Sequence, residues 1–147
     1  MIKRHHRIAI AAAFLYLIAL LVIVFWPTPV DRPASGTLNG VLNWLHRHGT
    51  PRFIGYNFVE FTANIAMFVP MGVIASIWFR NGFVGVLAGS LVSCLIELTQ
   101  AMFLPDRFAS GLDVLANSAG AALGALSYYL WHLQFTKATA DATQNLN

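Results

Sequence analysis

Six polar side chains interrupt stretches that are otherwise apolar: Glu60, Asn64, Glu97, Gln100, Asp113 and Asn117. Their spacing is helical. Glu60 and Asn64 are four apart, Glu97 and Gln100 three apart, and Asp113 and Asn117 four apart. Residues at these separations project from one side of a helix. Ser90, Ser93 and Cys94 extend the Glu97 stripe along its own segment. A carboxylate facing hydrocarbon is costly, so these faces are expected to turn into a bundle or toward a wet cavity. Arg107 is the nearby cation, and its planar guanidinium can hold Glu97 or Asp113 through two parallel bonds. Two kinds of chemistry suit such a set. One is recognition of a charged head group on an amphiphile. The other is catalysis, with one carboxylate as general base and Arg107 stabilising developing negative charge.

Other chemistries find little support. Cys94 is the only cysteine, so an intrachain disulfide and a cysteine metal cage are excluded, and a small packing role is expected for it. His5, His6, His46, His48 and His132 form no metal-ligand spacing, and none adjoins Glu97 or Asp113, so neither metal nor cofactor is expected. Ser110 and Ser118 lie near the acids without a histidine to activate them. No phosphate-binding glycine loop and no Gly-x-Ser-x-Gly elbow occurs. The formal charge of +3 is scattered except for Lys3, Arg4 and Arg7, which directly precede an apolar run. That placement suits membrane orientation rather than nucleic-acid binding.

The elements that must position these groups follow from composition. The chain of 147 residues is 57% hydrophobic and 10% charged. A soluble domain carries about 25% charged residues, so lipid is the expected solvent. Four segments are apolar enough for membrane helices of about 20 residues: Ile8 to Trp26, Phe58 to Phe79, Gly82 to Phe103 and Val114 to Trp131. The first is longer than a signal-peptide core, and Pro27 and Pro29 stand where a cleavage site would follow, so a retained helix is expected. Pro70 predicts a kink in the second segment, and Asn81-Gly82 a tight turn after it. Between Pro27 and Asn57, Leu38, Val41, Leu42 and Leu45 recur at helical spacing beside Trp44, which predicts a surface amphipathic helix. The expected fold is therefore all-α: a polytopic bundle of four transmembrane helices plus this surface helix. It forms one domain over residues 1–136, with a flexible tail over 137–147.

The basic cluster before the first helix leads to the expectation that both termini are cytoplasmic. Lys3, Arg4, Arg7, Arg80 and Lys137 then lie inside, five of the nine Lys and Arg residues. All six polar positions fall at the outer level of the bilayer. Gly120 and Gly124, and again Gly85 and Gly89, form small-residue seams for close helix approach. Packing within the bundle is the expected use, and the same seams also permit a homo-oligomer.

The stretch Asn64-Ile-Ala-Met-Phe-Val-Pro70-Met-Gly72 resembles the N-x-x-x-F-x-P-x-G motif of VanZ-like membrane proteins. Glu97-Leu-Thr-Gln100, then Arg107, then Asp113-Val-Leu-Ala-Asn117-Ser-Ala-Gly120-Ala-Ala-Leu-Gly124 is similar to that family's E-x-x-Q, R and D-x-x-x-N-x-x-G-x-x-x-G signature. The resemblant core covers residues 58–131. The resemblance implies a small bacterial membrane protein of a family whose founding member is associated with teicoplanin resistance, and it implies no known reaction. Asn64, Glu97, Gln100, Arg107, Asp113 and Asn117 are the expected ligand-binding residues. The expected function is binding of an amphiphilic cell-envelope or lipid-linked ligand at an outward-facing cavity. The alternative is a membrane enzyme acting on a lipid-linked or peptidoglycan-related substrate.

Overall fold

The structure, a computed structural model, describes residues 2–26, 35–104 and 110–144. These form five helices in chain order: α1 (Ile2–Val24), α2 (Ser35–Arg47), α3 (Tyr56–Phe79), α4 (Gly82–Phe103) and α5 (Gly111–Gln144). No strand occurs among the described residues. Three helices are long and apolar enough to cross a membrane: α1 over Arg7–Val24, α3 and α4. Helix α5 is longer, but Asn117, Ser118, Gly120 and Gly124 dilute its apolar character and it is not one of the three.

Burial runs opposite to that of a water-soluble protein. Along α4, Phe83, Leu87, Leu91, Leu95, Leu98 and Met102 are exposed, whereas Gly85, Gly89, Ser93, Glu97 and Gln100 are buried. Each set recurs every three or four residues, so one helix face is apolar and outward and the opposite face small or polar and inward. Trp78 is 80% exposed at the end of α3. In water such a surface would drive aggregation, whereas in hydrocarbon it is the favourable arrangement.

The chain divides into two compact units. The first comprises Met1–Phe61 and Leu95–Ser110. Its buried positions include Leu20 and Val24 of α1, Leu42 of α2, and Ile96, Glu97 and Gln100 of α4. Helix α2 is amphipathic: Leu42 is buried, Leu38 and Leu45 are half-buried, and Val41 and Trp44 are exposed. It ends at Gly49, whose φ of 96° is the left-handed conformation that closes a helix. There the Thr50 N–H donates to the Leu45 carbonyl at 3.1 Å. His46 Nε2 donates to the Ile54 carbonyl at 3.1 Å, and His48 Nδ1 to the Trp44 carbonyl at 2.7 Å. The two imidazoles thus serve different backbone groups, as their spacing of two predicts.

The second unit comprises Thr62–Cys94 and Gly111–Asn147. Here α5 packs on α3 backbone to backbone. A Cβ on Gly124 would meet the Val69 carbonyl, come 2.7 Å from the Val73 nitrogen and 3.0 Å from the Gly72 Cα. One on Gly120 would meet the Ile65 carbonyl and the Phe68 Cβ. Gly85 lies equally close to Ser76, and Gly89 to Ala121. Both small-residue seams are therefore used within the chain, as expected of bundle packing.

The connection from α3 to α4 is a two-residue hinge. Arg80 takes φ 52°, its N–H donates to the Ile77 carbonyl at 3.3 Å, and the Asn81 N–H donates to the Ser76 carbonyl at 3.1 Å. This pair of bonds satisfies the last carbonyls of α3. The Asn81 side chain then accepts the Val84 N–H at 3.2 Å and caps α4. The tight turn expected at Asn81-Gly82 is thus shifted one residue back, because Asn81 is needed as the cap. Helix α3 runs unbroken through Pro70. Helix α5 continues to Gln144, past Lys137 where a flexible tail is expected. The tail residues Ala138, Ala140 and Ala142 favour helix, and no Gly or Pro stops it.

Candidate functional site

In the second unit, the polar face of α5 meets α3 and α4. Asp113 stands in the first turn of α5, and Asn64 in the third turn of α3. Asn64 Nδ2 donates to Asp113 Oδ1 at 3.0 Å, joining residues 49 apart in sequence. One turn further along α5, Asn117 is 4% exposed. Its Nδ2 donates to Ser93 Oγ of α4 at 3.0 Å. Its Oδ1 is buried and has no hydrogen-bond partner. An amide oxygen and nitrogen exchange places on a flip, so one polar atom of Asn117 stays unmatched in either orientation. Ser76, fully buried beside Gly85, likewise has an unpartnered hydroxyl. Two hydrogen-bonding atoms thus lie unmatched inside a unit walled by apolar side chains, a costly state.

In the first unit, the polar residues of α4 hold backbone. Gln100 is 6% exposed, and its Nε2 donates to the Val24 carbonyl at 2.7 Å. Val24 is the last residue of α1, and its carbonyl has no intrahelical partner there. Gln100 therefore serves as a cap delivered from another helix. Glu97 is 7% exposed and accepts the Ser110 N–H at 2.7 Å. Ser110 immediately precedes α5, where Ser110-Gly111-Leu112-Asp113 has the spacing of a capping box. In such a box the acid at the third helical position would take the N–H of the capping serine. Here Glu97 takes it, and Asp113 accepts from Asn64.

The residues marked out by their types in sequence therefore fall into definite places. Asn64 meets Asp113, and Asn117 meets Ser93, in one unit. Glu97 and Gln100 hold backbone groups in the other. Arg107 lies outside the described residues, and so does its expected pairing with an acid. Glu60 is exposed. Of the stripe Ser90, Ser93 and Cys94, Ser93 is buried and Cys94 is exposed. One residue is 100° of helix rotation, which carries Cys94 toward the apolar face of Leu91, Leu95 and Leu98. Ser76 was not singled out from the sequence. The only signal was Gly85, whose missing side chain marks where a neighbouring helix comes close. No cluster of three His, Cys, Asp or Glu that could hold a metal occurs among the described residues.

A family model for VanZ/LLP1 matches residues 13–132. The chain belongs to the VanZ/LLP1 family. The match takes in α2, α3 and α4, the second half of α1 and most of α5, so the family extends well beyond the motif-bearing core. Neither the comparison with curated proteins nor that with solved structures finds a match. Within this VanZ/LLP1 chain, the family-like motif residues have distinct structural work. Gly72, Gly120 and Gly124 form the α3–α5 seam, Asn64 and Asp113 are bonded, and Gln100 caps α1.

Proposed function

We propose that this VanZ/LLP1 protein is a four-span membrane protein that binds an amphiphilic cell-envelope or lipid-linked molecule from the outer leaflet. In this reading α5 is the fourth span, α2 lies along the membrane surface, and both termini are cytoplasmic. The observation that carries it is Asn117. A buried amide with an unused hydrogen-bonding atom, one helical turn from a bonded carboxylate and carboxamide, is a ready partner for a polar head group. Asn64, Asp113 and Asn117 are assigned to recognition of that head group. Glu97 and Gln100 keep the frame in place through backbone bonds, and Arg107 is assigned the ligand's negative charge. The lipid tail of the ligand stays in hydrocarbon, which the outward apolar faces already require.

By its family, the ligand class includes lipoglycopeptides of the teicoplanin kind, and the function is reduced susceptibility to them. Expression in a teicoplanin-sensitive bacterium tests this, with the wild type compared with Asp113→Asn and Glu97→Gln at matched membrane abundance. Asp113→Asn keeps an oxygen to accept from Asn64 while removing the charge. Reduced susceptibility that both variants lose supports the proposal. Unchanged protection in both refutes the role of the polar groups, and no protection by the wild type removes resistance as the function. A reporter fused after Asn147 that reads periplasmic would overturn the topology.

A further inference from the structure

The tight α3–α5 seam does not run the whole length of the two helices. At Gly120 and Gly124 the backbones touch. Beyond Gly124, α5 presents Ser127, Tyr128 and Trp131, which cannot sit as close. A groove of about 260 Å³ opens there, lined by Val73, Ile77, Ser127, Tyr128 and Trp131. Of the two hydroxyls among these residues, Ser127 Oγ donates to the Leu123 carbonyl at 2.9 Å, and the lining surface is almost wholly carbon.

The end of this groove carries the marks of a membrane–water boundary. Trp78, Tyr129 and Trp131 are exposed there, as is usual at head-group level. Arg80 is exposed, and its backbone N–H donates to the carbonyl of Ile77, a groove residue three positions away. Glu60 is at the opposite end of α3 and Asp113 at the far end of α5, while Asp141 follows Trp131 along α5 at a distance of ten residues. Arg80 is thus the formal charge nearest in sequence to the groove residues, and the groove itself is apolar.

We propose that this groove holds one acyl chain of an anionic phospholipid, with its head group at Arg80. The site is distinct from the polar groups assigned to the envelope ligand and rests only on the membrane reading of the chain. Its single charge contact sets the expected selectivity. One Arg near a lipid surface contributes about 1 kcal/mol, equivalent to about a fivefold preference for an anionic over a zwitterionic lipid.

The test uses the full chain with Trp26, Trp44 and Trp78 each replaced by Phe, so that Trp131 is the only tryptophan. It is reconstituted in bilayers in which phosphatidylglycerol or phosphatidylcholine carries brominated acyl chains that quench tryptophan. Phosphatidylglycerol is expected to occupy the site about fivefold more readily. Arg80→Gly removes the charge and suits the φ of 52°, so folding is preserved while the preference falls to unity. Ser127→Phe fills the groove from an exposed position and lowers quenching by both lipids. Equal quenching by the two lipids in the parent chain would overturn the proposal, as would a preference that survives Arg80→Gly.

Discussion

Replacing Asn117 by Leu together with Ser93 by Ala removes a buried hydrogen bond between α5 and α4 and the orphaned atom beside it. The two effects oppose each other. The Asn117–Ser93 bond, at 3.0 Å and fully buried, is worth about 0.5–1.5 kcal/mol net, and measured values in membrane bundles average about 0.6 kcal/mol. The unpartnered Oδ1 costs about 1–3 kcal/mol. Leu has the branched shape of Asn with larger terminal groups, and Ser→Ala deletes the hydroxyl beside them, so part of the added volume is accommodated. The double variant should therefore be neutral or more stable by up to about 2 kcal/mol. Asn117→Leu alone should be less favourable, because it strands the Ser93 hydroxyl. The assay is reversible unfolding in mixed micelles, followed by helical circular dichroism. A loss of more than about 1 kcal/mol in the double variant would refute the reasoning, since it would mean that Oδ1 is satisfied in the folded protein. A protein that becomes more stable while losing its ligand would show that Asn117 is retained for function rather than for folding.

Glycine substitutions should separate by location. Gly124→Ala forces α3 and α5 apart and should cost about 1–3 kcal/mol, whereas Gly40→Ala, with open space around it in α2, should gain about 0.5–1 kcal/mol in the same unfolding assay. At the α3–α4 hinge, Asn81→Ala should cost about 1 kcal/mol through loss of the α4 cap. Arg80→Gly should stabilise by up to about 1 kcal/mol by relieving a left-handed Arg, and thermal scans of the two variants should move in opposite directions.

Much of the helical framework was legible because membrane segments announce themselves. The bounds of α4 match the expected segment, Gly82 to Phe103, and α3 begins two residues before the expected Phe58. The inward faces of α4 and α5 were legible from spacing, since polar groups three and four residues apart have only one inexpensive direction in hydrocarbon, whereas on α3 Asn64 is half-buried and Glu60 is exposed. Partners were not legible, because spacing fixes a face and not what lies opposite it. Nothing in the sequence says that Gln100 reaches the carbonyl of Val24, 76 positions away, or that Glu97 takes the Ser110 N–H. Cys94 was misplaced because serine and cysteine are equally small, and only the 100° step between neighbours decides which of them faces inward. The length of α5 was hidden by its polar end, where helix propensity of alanines outweighs the lack of an apolar face.

The central claim is that Asp113 and Asn117 recognise an amphiphile. Direct binding tests it: purified protein in lipid nanodiscs, titrated with teicoplanin and followed by calorimetry, beside Asp113→Asn and the Asn117→Leu, Ser93→Ala variant. The account predicts saturable binding by the wild type, weakened at least about tenfold in each variant, the equivalent of about 1.4 kcal/mol, with helical content unchanged. Binding of equal affinity in all three proteins would contradict it.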